Sequence, residues 1–437
     1  MKKLVVVLVA GLLVFGVTFG AAAAEIKFAH FYDPMGGGAL KQNSDWVKET
    51  IKGFMAENPD ITVTEELYKW DQIDTKSIMD FQAKIPHDVM MSSPQYMAKH
   101  GYIGDYLDLL PYIKKWPEAE QKDMGWSPVW ASGIVNGKQI GIPTGVHTRT
   151  MAYRRDMFEQ AGLDPNKPPK TLDELVEYAK KLTKDTNGDG EPEVYGLGMY
   201  FGPSRATIEL YFAPVLWYFG GDLWDAKAKK AAFASEAGVK AAQWLYDLIY
   251  KHKVTPKYSV SGTYDDRILK DFLDGKLAIS WGYGSYWISM LEEKGLVKGL
   301  YPATPEGKVL TGDVFSIPNL PIFTNAWCIS VHALSKNPDA AMKFIEYLLK
   351  ADRLSTYPDA GLPARLAAWN KPEFQTPFYK TWLETAKAGR GMPPAGYYGE
   401  LSDAVAAAIQ EILTKQVPIA ETLKKFQDEF NAQYGGE

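Results

Sequence analysis

The stretch that decides the fold is EIKFAHFYDPMGGGALKQNSDWVKETIKGFMAENPDITVTEEL, residues 25–67. Residues 26–30 follow an alternating side-chain pattern, which predicts a β-strand. Residues 46–54 carry apolar side chains at helical spacing between charged ones, and residues 61–67 alternate again. Residues 89–91 predict a third, buried strand. Because strands and helices alternate along the chain, we expect an α/β fold with a parallel sheet.

Composition limits the class of protein. The chain has 437 residues, with 48 basic and 53 acidic side chains, and 46% of its residues are hydrophobic. These values exclude a collagen, a coiled coil and a disordered chain, and the length predicts two or three domains. The net charge is −5 and the bases form no stripe, so nucleic acid is not an expected partner. The single cysteine, Cys328, excludes an internal disulfide.

Residues 1–24 have the pattern of a secretory signal peptide. Two lysines precede the uncharged apolar run Leu4–Phe19, and the small residues Ala21–Ala24 follow it. We expect cleavage after Ala24; an uncleaved membrane anchor is the alternative. No cysteine lies near this point, so we expect no lipid anchor. We also expect no membrane insertion after cleavage, and a periplasmic location.

Enzyme motifs are missing from the sequence. It contains no GxSxG, HExxH or GxxxxGK[ST] motif, and its six histidines show no pair at metal-ligand spacing. Acidic residues are numerous, so a glycosidase-type carboxylate pair stays open. A secreted enzyme acting on polysaccharide is therefore an alternative to a binding protein.

Aromatic residues beside glycine indicate a sugar-binding surface. The chain has 13 Trp, 25 Tyr and 19 Phe, and the densest run is Trp281–Trp287, after the strand-like residues 277–280. An aromatic face in a loop can stack on a sugar ring, so we predict a binding loop over 281–287; burial in the core is the alternative. Arg149 follows the segment Gly-Ile-Pro-Thr-Gly, residues 141–145, and has two open roles, holding an anionic ligand group or pairing with a protein acid.

A calcium loop is predicted at Asp185–Glu193. The oxygen-bearing residues and the glycine are spaced as in the first part of an EF-hand loop, but the twelfth position is Gly196 instead of an acid. A structural Ca²⁺ or a metal-free polar turn fits this pattern. The candidate ligands are the side chains of Asp185, Asn187, Asp189 and Glu193 and the main-chain carbonyl of Glu191. We expect no required cofactor.

The longest characteristic segment is GKQIGIPTGVHTRTMAYRRDMFEQAGLDPNKPPKTLDELVEYAKKLT, residues 137–183. Further characteristic pieces occur in order at 86–89, 220–223, 272–278 and 336–345. In these pieces the chain resembles extracellular solute-binding protein family 1, the sugar-binding receptors of ABC importers. The resemblance covers nearly the whole mature chain.

The resemblance implies a two-lobed α/β fold of the periplasmic-binding-protein (Venus-flytrap) type, with three crossings between the lobes. We expect the crossings near 146–150, 323–327 and 357–362. The implied N-terminal lobe is 25–148 plus 327–358, and the implied C-terminal lobe is 149–326 plus 359–437.

The resemblance also implies a ligand in the cleft between the lobes and closure by hinge bending. By position, the implied ligand-binding residues are Tyr32, Asp33, Ser93, Gln95, His147, Arg149, Tyr211, Trp281, Tyr283, Trp287, Trp327 and Tyr397. We therefore expect a monomeric receptor that delivers a carbohydrate or polyol to the membrane permease of an ABC importer, without catalysis. A uronate, an inositol-like polyol or glycerol phosphate is the alternative ligand, because of Arg149 and Arg205.

Overall fold

Two β-sheets, each with its own hydrophobic core, form the framework of the protein. The structure is a computed structural model that describes residues 24–35, 39–261, 266–284, 312–357, 362–375, 377–391, 393 and 397–436. Residues 1–23 of the predicted signal peptide and Trp287 lie outside the described residues. Within the described part of the chain, every helix is too short or too polar to cross a membrane.

The first sheet contains β1 (Ala24–His30), β2 (Ile61–Leu67), β3 (Val89–Ser92), β6 (Ile142–His147) and β13 (Asn325–Val331). Its strand order is β2-β1-β3-β13-β6. Strand β1 is parallel to β2 and to β3, so the predicted parallel arrangement of the first three strands is correct. Strand β13 runs antiparallel to β3 and to β6. Ala24, the residue before the predicted cleavage point, pairs with Ile61.

The second sheet contains β7 (Arg149–Arg154), β8 (Tyr195–Gly198), β11 (Leu277–Gly284) and β12 (Gly312–Phe315), in the order β12-β7-β11-β8. Strand β11 is antiparallel to β7 and parallel to β8. Two hairpins complete the described strands. They are β4 (Ile134–Val135) with β5 (Lys138–Gln139), and β9 (Trp224–Asp225) with β10 (Lys230–Ala231).

Helices connect the strands. The α-helices of the described residues are α1 (Ala39–Glu57), α2 (Ile73–Ala83), α3 (Met97–Ile103), α4 (Leu110–Ile113), α5 (Glu118–Met124), α6 (Arg155–Gln160), α7 (Leu172–Leu182), α8 (Arg205–Thr207), α9 (Ala213–Tyr218), α10 (Glu236–Tyr250), α11 (Asp266–Leu273), α12 (Pro338–Leu348), α13 (Ala351–Leu354), α14 (Pro377–Ala388), α15 (Tyr398–Lys415) and α16 (Ile419–Tyr434). A π-helical turn, Ile208–Phe212, joins α8 to α9. In the described part of the chain, 3₁₀ turns occupy Trp130–Gly133, Lys257–Val260, Leu366–Asn370 and Pro372–Gln375.

Two helix starts carry local sequence signals. The capping-box pair Thr171 and Glu174 predicts the start of α7, and Asn337 before Pro338 predicts the start of α12. The Thr171 hydroxyl accepts a hydrogen bond from the Glu174 amide at 3.0 Å, so the predicted cap of α7 forms. Pro338 is the first residue of α12, as its fixed φ favours. Asn337 precedes it, but its side chain does not cap the helix and donates instead to the Glu25 carbonyl at 2.8 Å. That amide therefore ties α12 to β1.

The chain passes between the two sheets three times. It leaves the first sheet after β6 and enters the second at β7, and it returns between β12 and β13. The third passage follows Tyr357, which packs in the first core, and ends at Leu362, which packs in the second. Trp126 and Val146 belong by sequence to the predicted N-terminal lobe but pack in the second core. The Trp126 indole donates a hydrogen bond to the Ala364 carbonyl at 2.6 Å, and this bond holds Trp126 in the second core. The lobe boundaries themselves stay a prediction.

Candidate functional site

A narrow polar cavity lies where the two sheets face each other. Its volume is about 50 Å³. The first sheet contributes the segment after β3 and residues of β6 and β13, and the second contributes the start of β7 and the π-helical turn. The lining residues are Pro94, Gln95, His147, Arg149, Glu209, Leu210, Phe323, Asn325 and Trp327.

Two larger cavities adjoin this one, and Gln95 lines all three. One has a volume of about 320 Å³ and includes Tyr102, Ser132, Asn325 and Tyr398 in its lining. The other has a volume of about 410 Å³ and includes Tyr96, Lys99, Tyr102, Arg205, Tyr397, Glu400 and Asp403. We call the three cavities together the cleft. Each of the two larger volumes lies within the range of about 300–1,000 Å³ that is typical of small-molecule sites.

Five of the predicted ligand-binding residues line the cleft. They are Gln95, His147, Arg149, Trp327 and Tyr397. Four of them could be predicted because they lie at strand ends or at the crossings, where an open α/β sheet presents its ligand groups.

His147 and Trp327 form one wall of the narrow cavity. The imidazole lies edge-on to the indole, with ring centroids 6.2 Å apart, and the other neighbour of the indole is Phe31 at 4.5 Å. Burial, helped by the charge of Arg149, lowers the pKa of His147 to about 3, so the imidazole is neutral at physiological pH. Its Nε2 atom is buried and has no hydrogen-bond partner within the described part of the chain. The wall therefore offers an aromatic surface beside an unsatisfied polar atom.

Glu209 faces this wall from the second lobe and is not among the predicted site residues. It lies in the π-helical turn, and its carboxylate accepts a hydrogen bond from the Tyr398 hydroxyl at 3.2 Å. Burial raises the pKa of Glu209 to about 7, although Tyr398, Arg149 and Arg205 favour the charged form. Glu209 is the one charged residue between Arg205 and Asp222. That isolation within an apolar run was the available sequence signal.

Two arginines bring positive charge to the cleft. Arg149, at the start of β7, donates from Nη1 to the Thr148 carbonyl at 3.0 Å. Arg205 reaches across the cleft, and its guanidinium carbon lies 6.0 Å from the centre of the Tyr96 ring. The Nε atom of Arg205 lies 3.9 Å from a carboxylate oxygen of Asp403. Because acids accompany both arginines, the cleft as a whole is not strongly cationic.

Three predicted residues of the first lobe have other partners. The Tyr32 ring is buried, and its hydroxyl is hydrogen-bonded to that of Tyr357. Ser93 is buried, and its hydroxyl donates to Asp74 at 2.7 Å. Asp33 is exposed and accepts a hydrogen bond from the Met35 amide at 2.8 Å. The structure does not bring these side chains into the three cavities.

The predicted binding loop over 281–287 is wrong for its first four residues, which continue β11. Gly282 has φ 97° and lies in a β-bulge opposite β7. This glycine therefore belongs to a bulged strand and not to a loop. Trp281 is 1% exposed and packs against Tyr211 and Trp244, with ring centroids 6.1 and 5.9 Å away.

Tyr211 is also fully buried, and its hydroxyl donates to the Trp281 carbonyl at 3.2 Å. Trp281 and Tyr211 are therefore core residues, which corrects the prediction that they face a ligand. Tyr283 continues the strand opposite Thr150. Trp287 lies outside the described residues.

The predicted calcium loop is an exposed turn with converging carboxylates. Ligand atoms of Asp185, Asp189 and Glu193 lie within 4.8 Å of one another. The Asp185 carboxylate accepts the Gly188 and Gly190 amides at 2.7 and 2.8 Å, and Glu191 is paired with Lys257 at 2.6 Å. The carboxylates of Asp185, Asp189 and Glu193 thus suit a hard cation. The pairing with Lys257 engages the Glu191 side chain and leaves its predicted main-chain carbonyl ligand untested. Calcium stays a prediction.

Two α/β units joined by three chain passages, with a polar and aromatic cleft between them, define a two-lobed ligand-binding protein. Residues 38–353 match the family described as bacterial extracellular solute-binding protein, and the chain belongs to that family. A relative in Brucella abortus (strain 2308), named only as a binding protein, is 24% identical over 416 residues, which cover 93% of this chain and 92% of the relative.

Solved structures share the fold. A solute-binding protein of an ABC transporter from Thermotoga lettingae, bound with alpha-D-tagatose, is similar with a TM-score of 0.73 and 23% identity, covering 94% of this chain and 99% of that one. The sugar-binding protein MalE from Xanthomonas citri gives a TM-score of 0.77 at 17% identity, covering 94% and 97%. At these identities the likeness shows the two-lobed fold.

Proposed function

We propose that this protein is the carbohydrate receptor of a bacterial ABC importer, and that it binds a sugar or a related polyol in the cleft between its lobes. The observation that carries the proposal is the narrow cavity, where the Trp327 indole lies beside the unsatisfied Nε2 atom of His147. An aromatic face accepts the C–H surface of a sugar ring, while adjacent polar atoms bind its hydroxyls. The sugar ligands of structurally similar proteins support the same class of ligand.

The two lobes contribute different groups to the proposed site. Gln95 and His147 supply neutral donors and acceptors from the first lobe, and Glu209 supplies a carboxylate from the second. A ligand that contacts both walls favours the closed arrangement of the lobes by the difference between its affinities for the two states. A membrane permease then recognises that closed form. We propose that the bound sugar leaves unchanged, because the family consists of binding proteins.

The cellular setting belongs to the same proposal. We propose that residues 1–24 direct secretion and are removed, and that the mature monomer works in the periplasm without a lipid anchor. The match to a family of extracellular proteins supports this location. Mass spectrometry of the protein recovered from the periplasm tests it, since we expect a mature chain that begins at Glu25.

A thermal-shift screen of the mature protein tests the ligand class. The panel contains neutral mono- and oligosaccharides, polyols, uronates and glycerol phosphate. A ligand at ~100 times its dissociation constant adds roughly 2.7 kcal/mol to the free energy of unfolding, which raises the melting temperature by a few degrees. We expect a shift with a neutral sugar or polyol that chromatography then recovers intact. Recovery of cleavage products would instead identify an enzyme, and no shift with any neutral compound would contradict the proposal.

A further inference from the structure

A fully buried histidine of the first lobe bridges two carboxylates. His100 lies on α3, and its Nδ1 atom is 2.8 Å from an oxygen of Asp105 while its Nε2 atom is 3.1 Å from an oxygen of Asp74. The exposed fractions of His100, Asp105 and Asp74 are 0%, 0% and 3%. The Tyr106 ring stacks on the imidazole at 4.2 Å. None of these four side chains belongs to the predicted ligand set.

This geometry favours an imidazolium. A neutral imidazole carries one N–H, so one of its nitrogens would present a lone pair to a carboxylate. Protonation of both nitrogens turns both contacts into charge-assisted hydrogen bonds. Burial alone would lower the pKa of His100, but the hydrogen bonds to Asp105 and Asp74 outweigh it and raise the pKa to about 9. The titratable groups that face the imidazole are these two carboxylates, from α2 and from the segment after α3, and the Tyr106 hydroxyl, 3.4 Å from Nε2.

The network reaches the cleft through Ser93. Asp74 accepts hydrogen bonds from the Ser93 amide at 3.2 Å and from its hydroxyl at 2.7 Å. Ser93 begins the segment between β3 and α3, in which Gln95 lines all three cavities. Helix α3, which holds His100, also presents Tyr102 to the two larger cavities. One imidazolium therefore connects α2 and α3 with the segment after β3.

We infer that His100, held between Asp74 and Asp105, is a positioning residue that fixes the Ser93–Gln95 segment and α3, two of the elements that form the first-lobe wall of the cleft. The wall is then rigid before any ligand arrives, which lowers the entropic cost of binding. The expected effect on sugar affinity rests on the proposed function, whereas the expected rigidity of the Ser93–Gln95 segment and α3 does not.

Hydrogen exchange in ligand-free protein tests the positioning role. In His100→Gln we expect amide exchange of residues 93–103 to accelerate at least about tenfold, because a charged network is lost, while the second lobe keeps its wild-type rates. The matched control is His87→Gln. His87 is 1% exposed and 3.5–3.6 Å from Glu66 and Asp80, but it precedes β3, at the strand end opposite to Ser93. Equal acceleration in both variants, or none in His100→Gln, would overturn the inference.

A spectroscopic readout covers the case in which His100→Gln does not fold. Nitrogen NMR of the wild-type protein at pH 7.5 is expected to show both nitrogens of His100 protonated, and one unprotonated nitrogen would refute the imidazolium. Ser93→Ala is the milder variant, since it keeps the imidazolium and removes one bond to the wall. We expect it to accelerate exchange in residues 93–95 without changing the His100 signals, and unchanged exchange there would contradict the link through Ser93.

Affinity for the sugar found in the screen tests whether the His100 network affects ligand binding. We expect His100→Gln to weaken binding at least about tenfold and His87→Gln to leave it within about twofold. Unchanged affinity in His100→Gln would limit the network to a structural role. If no sugar binds the wild-type protein, the proposed function has failed, while exchange and NMR still decide the positioning role.

Discussion

Sugar binding is expected to weaken as the pH falls, because Glu209 accepts hydroxyl hydrogen bonds best as a carboxylate. Burial raises the pKa of Glu209 to about 7. With that value the side chain is about 90% charged at pH 8 and about 3% charged at pH 5.5. If the charged form alone binds, the dissociation constant rises about 30-fold over this interval. The ligand favours the charged form, so binding near pH 7 releases a proton.

The other groups near Glu209 keep their charge over the same interval. The pKa of His147 is lowered to about 3, so its imidazole stays neutral. Burial raises the pKa of Tyr398 well above its usual range, so its hydroxyl stays protonated and continues to donate. Arg149 and Arg205 remain charged throughout. A pH dependence of affinity between 5.5 and 8 therefore reports on Glu209.

Calorimetric titration measures this effect directly. The sugar from the screen is titrated at several pH values between 5.5 and 8, in two buffers whose ionisation enthalpies differ. The control is Glu209→Gln, which keeps the shape of the side chain and cannot ionise. We expect its affinity to be independent of pH. The reasoning is refuted if the wild-type affinity is the same at both ends of the interval, or if Glu209→Gln shows the wild-type slope.

Five further expectations follow from the structure. Because the pKa of Glu209 is raised from its ordinary value of 4.5 to about 7, the folded state loses stability as the pH rises from about 4.5 to about 7. Glu209→Gln should therefore stabilise the ligand-free protein at pH 8 by roughly 3 kcal/mol relative to its effect at pH 4; urea unfolding measures this. Trp327→Ala should weaken sugar binding about tenfold or more in calorimetry. Trp281→Ala should instead lower the free energy of unfolding by about 3–5 kcal/mol, because Trp281 is 1% exposed. Thr171→Ala should cost about 1 kcal/mol of stability in the same unfolding assay. If Ca²⁺ binds the Asp185–Glu193 turn, Ca²⁺ should raise the melting temperature of the wild-type protein and not of Asp189→Ala, and equal curves with and without Ca²⁺ would exclude a structural ion.

The parts of the fold that were predictable are those set by local patterns. Strands β1, β2 and β3 carry alternating or continuously apolar side chains, and the cap at Thr171 acts through a bond three residues away. Such signals depend little on the rest of the chain. Asn337 shows the limit, since its side chain bonds to Glu25, 312 residues away, instead of capping α12.

The candidate site was predictable in part for the same reason. Gln95, His147 and Arg149 lie beside strand ends, and the ends of strands meet at the cleft. Glu209 could not be recognised in this way, because its role depends on burial between two lobes that are distant in sequence. Trp281 was misassigned because the glycine after it indicated a loop, whereas Gly282 makes a bulge inside a strand. A glycine alone does not distinguish these two structures.

The most direct test of the account is calorimetric titration of the mature protein with the neutral sugars of the panel, in the wild type and in Trp327→Ala. We predict one sugar bound per chain by the wild-type protein, recovered intact, and a loss of about tenfold or more in affinity on removal of the indole. Binding that is unchanged in Trp327→Ala, or no heat of binding with any sugar of the panel, would contradict the claim that this cleft is a carbohydrate site.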